Sequence, residues 1–159
     1  MTHHQRETEK DRRKQREILE FFSGFWQCNI TETPPINKPG GQKYRLDAWL
    51  TRKGDNTRFC FMECKGFTDS GFYGLNVPKY RDGVELARAA NVPFILGFSH
   101  PGGYGYVVVL DKDGKKAPCT SRVAGNTPQG RPANFDDKEP MVMFPKSCVQ
   151  FCQGFKESA

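Results

Sequence analysis

Two acidic residues and a lysine occupy positions at which a β-hairpin would bring them together. Two apolar-alternating runs within residues 44–67 flank the polar stretch 53–57, a pattern that predicts two antiparallel strands and a loop. Asp47 lies in the first run, and Glu63 and Lys65 lie in the second. Charged groups of this kind on one patch of a sheet suit a cation site better than an apolar core.

The register of this hairpin decides whether the two acids meet. A pairing centred on Asp55 predicts that Arg52 faces Arg58 and that Asp47 faces Glu63. Facing residues of an antiparallel pair share one side of the sheet, with Cβ atoms ~4.5–5.5 Å apart. A slip of one residue would separate the acids, so their proximity depends on this register.

The chemistry of such a cluster favours a divalent metal ion. Two like charges facing each other on a sheet are destabilising unless a cation offsets them, and Mg²⁺ prefers carboxylate oxygens and retained waters. The two-residue period of a strand brings Lys65 to the same side, roughly 7 Å from Glu63. The alternative is a solvated strand face on which Lys65 bridges Asp47 and Glu63.

The overall composition is that of one globular domain with a basic balance of charge. The length of 159 residues predicts a single domain with its own core. The formal net charge of +6 favours a polyanionic partner such as nucleic acid. No apolar run is long enough to cross a bilayer, and residues 1–17 lack the apolar region of a signal peptide. We therefore expect a cytoplasmic protein without a membrane partner.

The six cysteines are expected to be reduced thiols, because no export signal is seen. Cys60 and Cys64 share the side of the second strand that lies opposite Glu63, and are therefore predicted to face the core. Cys148 and Cys152, four residues apart, would share one face of a helix. No CxxC pair is present, so these spacings do not predict a structural zinc site.

A helix that begins charged and becomes apolar is predicted for residues 5–27. Its buried side is formed by apolar residues at three- and four-residue spacings, namely Ile18, Leu19, Phe21, Phe22, Phe25 and Trp26. Projected backwards, the same side includes Asp11 and Glu7, and a buried acid needs a partner such as the hairpin cluster. Asp11 is the better candidate. The alternative is that these first turns extend into solvent, where the helix dipole favours acids.

A second helix and two apolar strands are predicted after the hairpin. Residues 77–91 are expected to form the helix, capped by Asn76. Lys79 lies in its first turn, where the helix dipole disfavours a cation, and is therefore a candidate for phosphate contact. The run 92–99 is typical of a central strand covered on both faces, and 104–110 predicts another strand.

The C-terminal third predicts less regular structure. Residues 115–140 are expected to form a long surface segment. A short strand is predicted over 141–144 and a closing helix over 147–155. His100 is assigned to a turn over 100–103 and has no predicted functional role.

In its order of elements the chain resembles the PD-(D/E)XK nuclease superfamily. The resemblance extends to the motif residues, namely Asp47 and, after fifteen intervening residues, Glu63, Cys64 and Lys65. It covers roughly residues 5–110 and includes the acid-bearing first helix, a Lys-Tyr pair early in the second helix and the apolar strand that follows. Leu46 stands where the superfamily often has proline. Compact Holliday-junction resolvases and small virus-type or VRR-type nucleases are nearest in size.

The resemblance implies an α/β fold formed by a single domain over residues 1–159. The core, over about 5–110, would be a restriction-endonuclease-like αβββαβ unit with a mixed central β-sheet flanked by helices. Residues 111–159 would form an irregular C-terminal extension with a short strand and a short helix.

The activity that the resemblance implies is metal-dependent hydrolysis of phosphodiester bonds in DNA. The ligands of Mg²⁺ or Mn²⁺ would be Asp47, Glu63, the backbone carbonyl of Cys64 and, through a water, Asp11. Lys65 would assist the attacking water. Lys79 would be a further catalytic residue that clamps a neighbouring phosphate.

Additional contacts with the nucleic acid are expected from residues beside the hairpin and in the second helix, namely Lys43, Arg45, Lys79 and Tyr80. Residues 31–43, which lead into the hairpin, predict a loop or a short edge strand. The implied partner is DNA, including branched or single-stranded DNA, while RNA and a homodimer remain open. Two alternatives are a non-catalytic nucleic-acid-binding protein on the same fold and a metal-dependent hydrolase of small phosphate compounds.

Overall fold

The computed structural model describes residues 9–32, 36–37, 43–44, 48–55, 57–67, 73–125 and 138–152. At 32, 36–37, 43–44, 122–125 and 138–139 it describes the backbone alone. The helices are α1 (Glu9–Phe25) and α2 (Val77–Ala90). The strands are β1 (Cys28–Glu32), β2 (Ile36–Asn37), β3 (Lys43–Tyr44), β4 (Ala48–Arg52), β5 (Arg58–Gly66), β6 (Gly74–Asn76), β7 (Phe94–His100), β8 (Gly103–Leu110), β9 (Thr120–Gly125), β10 (Lys138–Met143) and β11 (Val149–Phe151).

A six-stranded mixed sheet lies at the centre of the fold, in the order β1-β4-β5-β7-β8-β11. β5 and β7 run parallel, whereas the other neighbouring strands of this sheet are antiparallel. A parallel pair needs a crossover connection, and α2 provides it. The series α1, β1, β4, β5, α2, β7 is the αβββαβ arrangement. The predicted α/β fold, a mixed central sheet flanked by helices, is therefore confirmed.

The two faces of β5 belong to different parts of the core, because successive side chains of a strand point to opposite faces. One face is covered by α1 and contains Cys60, Met62 and Cys64 packed with Ile18, Leu19 and Phe22. The other is covered by α2 and contains Phe61 packed with Val84, Leu86 and Ala87. The prediction that Cys60 and Cys64 face the core on the side opposite Glu63 is confirmed.

The predicted apolar stripe of α1 is confirmed for Ile18, Leu19 and Phe22, which are buried. It is wrong for Phe25, which is 45 % exposed at the end of the helix. A hydrogen bond also ties α1 to β8, because the Tyr104 hydroxyl donates to Glu17 Oε1 at 2.7 Å. This bond lowers the pKa of Glu17. Burial, together with the same bond, raises the pKa of Tyr104 to about 12.

No helix in the described ranges is both long and apolar enough to cross a membrane.

The predictions for the second helix and the strand after it are confirmed. The Asn76 side chain caps α2 by accepting a hydrogen bond from the backbone N–H of Lys79 at 2.8 Å. Asn91, in the left-handed conformation with φ of 57°, ends the helix. Every residue of β7 is buried, as expected for a central strand covered on both faces.

β4 and β5 form the predicted hairpin with the predicted register over most of its length. Ala48 faces Met62, which is the register of a pairing centred on Asp55. The predicted pairing of Arg52 with Arg58 is wrong, because an irregularity after Leu50 shifts the ladder and Arg58 faces Thr51 instead. Such a shift adds a residue to one strand and leaves no mark on the alternation of apolar residues.

The predicted closing helix over 147–155 is wrong in the described residues. Lys146–Cys148 forms a single 3-10 turn, and Val149–Phe151 forms β11, which pairs with β8. The burial of Val149 and the exposure of Gln150 follow the two-residue period of a strand. Cys148 and Cys152 therefore do not share a helix face.

The expected surface segment over 115–140 contains more structure than predicted. It includes β9 and the first residues of β10, and β10 is longer than the predicted strand over 141–144. β9, β10 and β6 form a separate three-stranded sheet. Residues 126–137 lie outside the described part of the chain. Before the hairpin, β1 runs to Glu32 as an edge strand paired with β4.

Candidate active site

Glu63 lies in the middle of β5 with its side chain inside the protein. Its exposed fraction is 0 %, and the apolar core surrounds it on the face covered by α2. β7 runs parallel alongside, with Leu96 opposite Glu63. A carboxylate in such a place is costly unless a neighbouring group compensates its charge.

Lys79 supplies a compensating charge from the first turn of α2. Its Nζ donates a hydrogen bond to Glu63 Oε2 at 3.3 Å, and the two groups form an ion pair. The Lys79 side chain is 29 % exposed, so the pair joins a buried carboxylate to an ammonium group that borders solvent. The N-terminal end of α2 adds a positive helix dipole on the same side.

The three-stranded sheet formed by β6, β10 and β9 holds the first turn of α2 in place. β6 runs directly into α2, and Asn76 at its end faces Met141 of β10. A Cβ on Gly74 would lie 2.6 Å from Met143 Sδ and 2.9 Å from the backbone oxygen of Val142, so only glycine fits there. This close pairing, together with the Asn76 cap, fixes the backbone from which Lys79 reaches Glu63.

Lys65 follows two residues after Glu63 in β5. It is half-buried and faces Phe98 of β7. The alternation of β5 directs it to the same side of the sheet as Glu63. Cys64, between them, belongs to the other face, and its buried thiol packs with the α1 cluster. Because the thiol packs on the α1 face, the backbone carbonyl is the group of Cys64 that lies between Glu63 and Lys65.

Two predicted site residues, Asp47 and Arg45, lie outside the described part of the chain. Lys43 belongs to β3 by its backbone, which pairs with Asn37. The structure therefore describes β4, which follows Asp47, but not the side chains of Lys43, Arg45 and Asp47.

Asp11 is exposed in the first turn of α1. α1 covers the face of the sheet opposite Glu63, but its N-terminal half lies beside the end of β5. This follows from Lys14, whose Cγ would be 3.2 Å from a Cβ on Gly66. Asp11 thus lies at the same end of the sheet as Lys65. The other candidate acid, Glu7, lies outside the described residues.

Tyr80 is half-buried and packs towards the core. Its ring centroid lies 6.3 Å from that of Phe144. Burial, followed by the neighbouring Cys119, raises its pKa.

The thiols nearest the hairpin are poor metal ligands. Burial raises the pKa of Cys60 and of Cys28, and the thiolate is the form that binds metal. Within the described ranges, no three His, Cys, Asp or Glu side chains lie close enough to hold a metal ion together. Glu63 contributes hard carboxylate oxygens, which suit Mg²⁺ or Mn²⁺.

Sequence reasoning missed two contacts of buried polar groups. It did not pair Lys79 with Glu63, although the basic residue in the first turn of a helix was a signal. It also placed His100 in a turn, whereas His100 is the buried last residue of β7. Its Nδ1 accepts a hydrogen bond from the backbone N–H of Gly102 at 2.7 Å, which holds the turn between β7 and β8.

An αβββαβ core with a buried acid and a lysine on its central strand defines the class of restriction-endonuclease-like nucleases. The sequence model of the family described as "Phage putative PDDEXK endonuclease" matches residues 1–151. The chain belongs to this family, and the resemblance to the PD-(D/E)XK nuclease superfamily is confirmed. No curated protein matches the chain significantly.

Proposed function

We propose that the protein is a metal-dependent nuclease that hydrolyses phosphodiester bonds in DNA. The single observation that carries the proposal is Glu63, which has no exposed surface in the central strand, pairs with Lys79 and precedes Lys65. A buried ion pair is often no more stabilising than apolar residues of similar volume. A role in binding or catalysis explains why this fold carries one.

The register of the hairpin supports a role for Asp47. Ala48 faces Met62, and the same register continued by one residue would bring Asp47 opposite Glu63. Facing acids repel each other unless a cation lies near both. Asp47 is therefore the proposed second carboxylate of the site.

The donor chemistry of these residues fits Mg²⁺ or Mn²⁺. Asp47, Glu63 and the backbone carbonyl of Cys64 would hold the ion, and Asp11 would join it through a water. All are oxygen donors of the kind that these ions prefer. The ion supplies polarisation of the scissile phosphate and a lowered pKa for a bound water.

The lysines would act on the substrate and on the attacking water. Lys65, beside Glu63, would orient the water and stabilise the charge that develops on phosphorus. Lys79 would bind a neighbouring phosphate. Lys43, Arg45 and Tyr80 would contact the nucleic acid further from the scissile bond. A basic protein with these contacts should lose affinity for DNA steeply as salt rises.

A cleavage assay tests this proposal. The substrates are linear, nicked, flapped, four-way and single-stranded DNA, together with RNA, each with Mg²⁺ or Mn²⁺. We expect cleavage of at least one DNA substrate with either ion, and none with EDTA. Asp47→Ala and Lys65→Ala should each lower the rate by about 100-fold or more. The control is Lys112→Ala, an exposed lysine on the turn after β8.

Two results would contradict the proposal. Salt-sensitive DNA binding without cleavage of any substrate would favour the non-catalytic alternative. Cleavage that persists in EDTA would exclude metal dependence.

A further inference from the structure

Lys79 is a counter-ion of Glu63. Its Nζ lies 3.3 Å from Glu63 Oε2, and Glu63 has no exposed surface. Because the effective dielectric constant inside a protein is far below that of water, this attraction is much stronger than it would be at the surface. The ammonium group thus fills part of the electrostatic role that a metal ion at Glu63 would have.

An ammonium group and a divalent ion at one buried carboxylate would repel each other. At close range in a medium of low dielectric constant this repulsion is large. Binding of the ion to Glu63 should therefore weaken the contact with Lys79, and the contact should in turn oppose binding of the ion.

The hydrogen bond that holds the backbone of Lys79 does not involve its side chain. Its backbone is held by the Asn76 cap at 2.8 Å, while its side chain is 29 % exposed and borders solvent. At the N-terminal end of α2, the helix dipole disfavours a cation and favours an anion. A displaced Lys79 is therefore well placed to bind a phosphate group that lies at the same helix end.

We propose that Lys79 exchanges partners: it pairs with Glu63 before metal binds and moves to a substrate phosphate afterwards. This inference rests on the proposed function, because it requires a metal ion at Glu63. It makes binding ordered, since metal loading releases the group that holds the nucleic acid. A nucleic acid bound before the metal would lack this contact.

Calorimetric titration of the DNA-free protein with Mn²⁺ and with Mg²⁺ tests the first half of the exchange. Lys79→Met removes the competing charge, so we expect both ions to bind about tenfold more tightly or better. Lys79→Arg keeps a cation and should bind them as the wild type does. Lys112→Met, an exposed lysine on the turn after β8, is the matched control and should change nothing. If Lys79→Met does not fold, Lys79→Gln is expected to give the same tightening.

DNA binding in a variant that does not cleave tests the second half. In Lys65→Ala, Mg²⁺ should strengthen DNA binding by about tenfold or more. In the double variant Lys65→Ala/Lys79→Met, most of that gain should disappear.

Each outcome bears on a different part of the proposal. Suppose that the wild type binds metal and cleaves DNA, but that Lys79→Met binds metal no more tightly than the wild type. That result would overturn the exchange and leave the proposed function intact. A wild-type protein that binds neither ion would overturn both. A metal-induced gain in DNA affinity that survives in the double variant would overturn the movement of Lys79 to phosphate.

Discussion

The two faces of β5 are both covered by a helix, yet they differ in chemistry. On the face under α1, Cys60, Met62 and Cys64 form an apolar surface. On the face under α2, a buried carboxylate, Glu63, interrupts the apolar residues and pairs with Lys79. The α1 face indicates that apolar side chains alone suffice to bury this strand.

The two faces also differ in how they accommodate an ionisable group. Burial raises the pKa of the Cys60 thiol, so the thiol stays neutral. Glu63, equally buried, has an ammonium group 3.3 Å away. One face is built to exclude charge and the other to hold it. For this reason we propose a function beyond stability for the α2 face.

The largest effect on stability should follow from disturbing the ion pair. Lys79→Met leaves the Glu63 carboxylate buried without this ammonium group, so the free energy of unfolding should fall by about 3 kcal/mol. The double variant Glu63→Leu/Lys79→Met makes the α2 face as apolar as the α1 face. It should be at least as stable as the wild type. Denaturant unfolding of the metal-free proteins measures both changes.

A loss of stability in the double variant would contradict the conclusion drawn from the two faces of β5. If it lost as much stability as Lys79→Met alone, the ion pair would be a structural element of the fold. The buried acid would then need no functional explanation.

A smaller effect should distinguish how tightly the two helices pack. A Cβ on Gly83 of α2 would overlap the ring of Phe94, which is rigid and buried. A Cβ on Gly97 of β7 would overlap the flexible end of Met62 on the α1 face and approach Phe22 Cε2 to 3.0 Å. Gly83→Ala should therefore cost about 2 kcal/mol of unfolding free energy, and Gly97→Ala about 1 kcal/mol. Thermal unfolding of the two variants checks the order, and the reverse order would show that the α1 face is the more rigid.

Local patterns predicted the elements that carry the site. The Asn76 cap, the burial of β7 on both faces and the alternation of β5 each follow from neighbouring residues, and each is confirmed. The ion pair was not predicted, because Glu63 and Lys79 are separated by sixteen residues in sequence. Only the crossover that returns α2 to β5 brings them together, and periodicity does not report such contacts.

The errors have a similar origin. The pairing of Arg52 with Arg58 failed because a bulge changes register without changing composition. The predicted helix over 147–155 is wrong because a short apolar run fits both periods, and pairing with β8 favours the strand Val149–Phe151. For Asp47, the pairing predicted from the sequence has the same register as the observed pairing of Ala48 with Met62. The role of Asp47 stays a prediction.

The central claim is that the buried carboxylate of β5 serves metal-dependent cleavage. The most direct test compares Glu63→Gln with Glu85→Gln, a control at an exposed glutamate of α2, in DNA cleavage at saturating Mg²⁺ or Mn²⁺. We expect Glu63→Gln to keep DNA affinity and to lose cleavage by about 100-fold or more, while Glu85→Gln cleaves as the wild type does. Full cleavage by a folded Glu63→Gln protein would contradict the central claim.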